Sequence, residues 1–130
     1  MKLFTVYHCS PQEIDVFNFE NGVHFGGYNS ALQAALRKHS HEIYVHECLL
    51  AVDKVYISND VGGDDAWKEV IKHARRDGCS VIQYYNKYEP DVRPSYIVLD
   101  SERIKLKKVE CMAASDASYI VEKEAYYDYY

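Results

Sequence analysis

The chain has 130 residues, 48% of them hydrophobic, 14% aromatic and 27% charged, which fits one domain with a buried core and excludes wholesale disorder. Its 15 basic and 20 acidic side chains leave a net charge of −5, so the cationic surface that a phosphate backbone or an anionic membrane rewards is missing, and direct nucleic-acid binding is not expected. No apolar run approaches the roughly 20 residues of a membrane span, and the first ten residues read as a strand rather than a leader, so the expectation is a cytoplasmic protein without a membrane segment.

Lys2 to Tyr7 is rich in β-formers and predicts a strand that runs into His8, Cys9 and Ser10 before Pro11 stops it. Gln12 to Glu20 suits a loop or short strand ahead of the Asn21-Gly22 turn. Val23 to Phe25 predicts a short strand broken by Gly26-Gly27, and Asn29 or Ser30 is placed to cap a helix over Ala31 to Lys38. Glu42 to Leu50 and Lys54 to Ser58 read as strands joined by a bend at Ala51 to Asp53. After an Asp/Gly loop, Ala66 to Arg76 is amphipathic, with Trp67, Val70, Ile71 and Ala74 inward, and Asp77-Gly78 ends it. Ser80 to Tyr85, Ser95 to Leu99 and Ile104 to Val109 complete the strands; the last alternates apolar and basic residues as an edge strand does. From Glu110 the composition turns acidic and tyrosine-rich, which predicts an extension over 110–130 appended to a domain over 1–109.

Cys9, Cys48, Cys79 and Cys111 are scattered and form no C-x-x-C pair, so four reduced thiols are expected. His39, His41 and His46 with Cys48 lack the tight knuckles of structural zinc sites, and no metal is expected there.

Three segments bear chemistry together. Val6-Tyr7-His8-Cys9-Ser10 ends the first strand, Gly22 to Gly27 is followed by an Ala-rich helix, and Gly78 to Lys105 holds Tyr84, Asn86 and Glu89 ahead of Ser95-Tyr96-Ile97-Val98. In this order they resemble the small ADP-ribosyltransferase-like domains of phages and mobile elements, distant relatives of the diphtheria-toxin and poly(ADP-ribose) polymerase fold. The first is similar to the family's Y-H-G followed by Ser or Thr, the third to its Y-x-N-x-x-E and S-Y-I-V strands. The resemblance implies an α+β fold of two small, mostly antiparallel sheets face to face around an NAD cleft, with helices at its flanks.

It also implies cleavage of the nicotinamide–ribose bond of NAD through an oxocarbenium-like ribose, helped by a fixed nicotinamide, an oriented ribose and a carboxylate where positive charge develops. The main chain of Cys9 would hold the carboxamide, His8, Ser10 and Asn86 the ribose hydroxyls, and Phe25 or Tyr28 would stack on nicotinamide. The polymerases' catalytic glutamate opens the strand that here begins with Ser95, which carries no charge, so the acid passes to Glu89, or to Asp91, on the preceding loop.

Read without the resemblance, His8 is a strand-end histidine, Phe25 a core residue, His24 a side chain facing away from Val23 and Phe25, and Glu89 a solvated loop acid. Two functions follow. One is a mono-ADP-ribosyltransferase acting on a host protein in phage or mobile-element conflict, as an anti-defence factor, an inhibitor of CRISPR machinery included, or as a toxin. The other is the same fold with catalysis lapsed, binding a protein partner through its acidic and tyrosine-rich surface.

Overall fold

The computed structural model describes residues 1–38, 41–88 and 91–128. His39 and Glu89 lie outside the described residues. The chain is α+β, with two small sheets and three helices. β1 (Lys2–Ser10), β3 (Glu42–Val52) and β7 (Ile104–Ala113) form an antiparallel sheet in the order β1-β3-β7. β2 (Val23–Phe25), β6 (Ser95–Val98), β5 (Val81–Tyr84) and β4 (Val55–Ile57) form the second, antiparallel except for the β4/β5 pair.

Strand alternation puts one apolar face of each sheet against the other. Val6, Cys48, Leu50 and Val52 from the first sheet pack on Phe25, Val81, Tyr96 and Val98 from the second. The outer face of the second sheet carries α2 (Asp64–Arg76), whose Trp67 and Ala74 meet Ile82, Tyr84 and Ile97. The outer face of the first carries α1 (Tyr28–Lys38) and α3 (Ala114–Asp128), with Leu32, Ala35 and Ala117 over Ile43 and Val45. No helix of the described residues is long and apolar enough to cross a membrane.

Three differences from the sequence reading have local causes. The bend expected over Ala51 to Asp53 begins only at Asp53, because Ala51 and Val52 stay paired with Leu3 and Lys2. α1 starts three residues before Ala31, since the Ala31 N–H already bonds to the Gly27 carbonyl, and Asn29 and Ser30 fall within the helix. The segment expected as an appended extension continues β7 through Ala113 and then forms α3, which covers the first sheet with a fully buried Ala117. The expected boundary at Val109/Glu110 thus falls inside a paired strand.

Candidate functional site

A main-chain bridge ties the two sheets where Tyr7 and Gly26 exchange both bonds at 2.8 and 2.9 Å. Beyond that tie the sheets part, and a cleft of about 840 Å³ opens between the end of β1, β2, α1 and the start of α2. Gly26 permits the junction: a Cβ there would lie 3.2 Å from the Ser95 hydroxyl and 3.4 Å from that of Ser30.

Main-chain groups alternate sides along a strand. Tyr7 spends its N–H and C=O on Gly26, so Cys9, two residues on, turns its own pair the same way, past the end of β2 and toward the cleft it lines. Its side chain packs toward α1 instead. Burial pushes the Cys9 thiol up to about 12, which leaves it protonated and poor as a nucleophile.

His8 sits beside Cys9 in the cleft. Its Nδ1–H donates to the His24 carbonyl at 2.7 Å, which fixes the tautomer and leaves Nε2 with a lone pair. Burial holds its pKa below the ordinary value, against the pull of that hydrogen bond. Phe17 and Phe25 pack on the ring at 5.5 and 5.6 Å between centroids. Phe17 belongs to the segment between β1 and β2, which adopts no strand. His46 anchors that segment: its Nε2 accepts the Ile14 N–H at 2.8 Å and its Nδ1–H donates to the His8 carbonyl at 3.1 Å. Both ring nitrogens of this fully buried histidine are thus used within the protein.

On the far wall stand His24, Trp67 and Tyr84. His24 Nδ1 lies 2.8 Å from the Tyr84 hydroxyl; the Trp67 ring lies 4.8 Å from that of Tyr84 and 5.8 Å from His24. Burial pushes the His24 pKa down to about 4, and the Asp64 carboxylate recovers only part of the loss. Arg37 and Lys38 reach the cleft from the end of α1, and Asp60 and Asp64 from the loop and first turn that open α2, so both signs of charge line it. Arg37 sits 5.7 Å over the Tyr88 ring at the lip.

Of the residues predicted from sequence, His8, Cys9, Phe25, Asn86 and Ser95 line this one cleft. Phe25 does so as its floor: at 2% exposure it belongs to the inter-sheet core and offers no open face for stacking. Ser10 does not join the lining, because its hydroxyl bonds to the Gln12 carbonyl in the turn after β1. Tyr28 packs edge-on against Tyr7 on the α1 side of the first sheet, away from the lining. Asn86 accepts the Tyr88 N–H at 2.9 Å, and Ser95 opens β6 with 2% exposure. Asp91 crowds Gly27 at the first turn of α1 and accepts the Arg93 N–H at 3.1 Å.

His24, Asp60, Trp67 and Tyr84 complete the cleft without having been singled out as site residues. Only the alternation of His24 between Val23 and Phe25 signalled its direction; Trp67 read as core, and Tyr84, the first residue of the Y-x-N-x-x-E match, as packing and rim. Compared with known proteins, the chain matches no family model, no curated protein and no solved structure at a significant level.

Proposed function

We propose that the cleft binds NAD and that the chain transfers ADP-ribose from it to a macromolecular acceptor, a host protein in the setting of phage or mobile-element conflict. One observation carries this reading: His8 and Cys9 from the first segment, Phe25 from the second, and Asn86 and Ser95 from the third line the same cleft. These are the segments in which the sequence resembles ADP-ribosyltransferase-like domains. The volume of about 840 Å³ suits a ligand of dinucleotide size.

In this reading the Cys9 N–H and C=O pair with the nicotinamide carboxamide. His8 Nε2 accepts a ribose hydroxyl, which its tautomer allows, and the Ser95 hydroxyl and Asn86 orient the sugar. The C1′–N bond breaks with its electron pair leaving on nicotinamide. The Glu89 carboxylate offsets the charge that develops on the ribose. A nucleophile of the acceptor then forms the new bond at C1′ and gives its proton to Glu89 or to water.

A lapsed enzyme that binds a partner is the second reading. The neutral Ser95 at the opening of β6 favours it, as do the exposed Val61, Tyr85 and Tyr88 beside the cleft. Incubation with labelled NAD and a bacterial lysate, followed by mass spectrometry, separates the two. Released nicotinamide and a labelled protein support transfer; neither product, with a partner captured by the intact chain, supports the binder.

A further inference from the structure

Asp60 is a carboxylate only 9% exposed, on the loop between β4 and α2. Burying a carboxylate is unfavourable unless its oxygens are satisfied, so its partners show what the burial achieves. Oδ1 accepts the Gly62 N–H at 3.0 Å, a local Asx turn. Oδ2 accepts the Lys87 N–H at 3.0 Å, 27 residues away in sequence and on the opposite loop. The next amide, that of Tyr88, is taken by Asn86 Oδ1. Lower down, a main-chain bond from the Ser58 N–H to the Gln83 carbonyl of β5 at 3.0 Å continues the same junction. Asp60, Gly62, Asn86 and Tyr88 all line the cleft.

We propose that Asp60 is a positioning residue: by gripping the Gly62 and Lys87 amides it fixes the Asn86–Tyr88 turn against the loop that opens α2, and so sets how tightly the ligand is held. The proposal rests on the NAD reading of the cleft. Asp60 does not contact the reacting atoms; it acts through Asn86 and Tyr88. An asparagine of the same size keeps one acceptor oxygen and turns an NH₂ group toward one of the two amides, so Asp60→Asn loses the grip even though it fills the space.

The test follows amide hydrogen exchange and NAD titration of the full chain, read by the fluorescence of Trp67, the single tryptophan. Asp60→Asn is expected to speed exchange at Gly62 and Lys87 at least about tenfold and to weaken NAD binding by about tenfold to a hundredfold, the scale of a displaced positioning group. In the Asn86→Ala background the same change should alter NAD affinity less than threefold, because both act through one turn. Unchanged exchange overturns the grip. Faster exchange with unchanged NAD affinity, or full multiplication of the two single effects, overturns the positioning role. If Asp60→Asn does not fold, wild-type exchange decides: NAD should slow the Lys87 amide, and no slowing while NAD binds refutes the proposal. A wild type whose Trp67 does not respond to NAD, and which shows no heat of binding, removes the NAD reading and this proposal with it; a bound NAD without coupling to Asp60 removes the proposal alone.

Discussion

Replacing His24 with glutamine isolates the largest acid-sensitive contribution that the cleft makes to stability. In the fold, burial brings the His24 pKa from 6.5 down to about 4. The unfolded chain therefore takes up a proton at this residue between those values while the folded chain does not. Its contribution is complete above about pH 6.5, falls as pH drops at about 1.4 kcal/mol per pH unit, and is gone below about pH 4. The gap of about 2.5 pH units corresponds to about 3 kcal/mol, or about 10 °C in melting temperature for a chain of this length. Urea unfolding of wild type and His24→Gln at a series of pH values between 7 and 4 reads it. Glutamine keeps a polar partner for Tyr84 without titrating, and carboxylates common to both proteins cancel in the difference. The stability of wild type relative to the variant should shrink by about 3 kcal/mol across that range. A difference that stays constant, or that grows on acidification, would refute the argument that burial keeps His24 neutral.

Glu89→Gln should lower the rate of nicotinamide release by about 10²–10³ with NAD affinity retained, and Asp91→Asn should do less; the reverse order moves the acid two residues along the loop. Alkylation with iodoacetamide should label the exposed Cys111 first, with Cys48 and Cys79 shielded by burial and Cys9 slowed by a thiol pushed up to about 12, as peptide mapping over time will show. Gly22→Ala should cost about 2–4 kcal/mol in urea unfolding, since φ is 77° and the new Cβ would meet Ile97 Cγ2 at 2.5 Å. Truncation after Ala113 should lower stability by about 3 kcal/mol or more by uncovering Leu32, Ile43 and Val45; an unchanged melting temperature would show that α3 contributes no core.

Where the sequence carried a strong local signal, the fold was legible. The stripe of Ala31, Leu32, Ala35 and Leu36 and that of Trp67, Val70, Ile71 and Ala74 marked α1 and α2 to within three residues at their starts. α3 escaped because its buried contacts are made by alanines and two aliphatics, Ala114, Ala117, Ile120 and Val121, amid serine, acid and tyrosine, so its amphipathic contrast is weak. Of the cleft, the resemblance singled out His8, Cys9, Asn86 and Ser95, which share one lining because His8 and Cys9 lie in the last three residues of β1, Asn86 two residues past β5 and Ser95 at the start of β6. Ser10 and Tyr28 stand apart from it, because the Ser10 side chain turns into its own loop and Tyr28, at the start of α1, packs onto Tyr7. Asp60 looked like turn chemistry, which half of it is; its second oxygen reaches a loop that only the tertiary fold brings near.

NAD binding in the cleft at His8 is the central proposal. Isothermal calorimetry of NAD against wild type and His8→Ala tests it most directly, since the substitution removes the Nδ1–H bond to the His24 carbonyl and the Nε2 lone pair together. Saturable binding by wild type, weakened at least about tenfold in the variant, is the predicted result. No heat of binding with wild type, or equal affinity in both proteins, would contradict it.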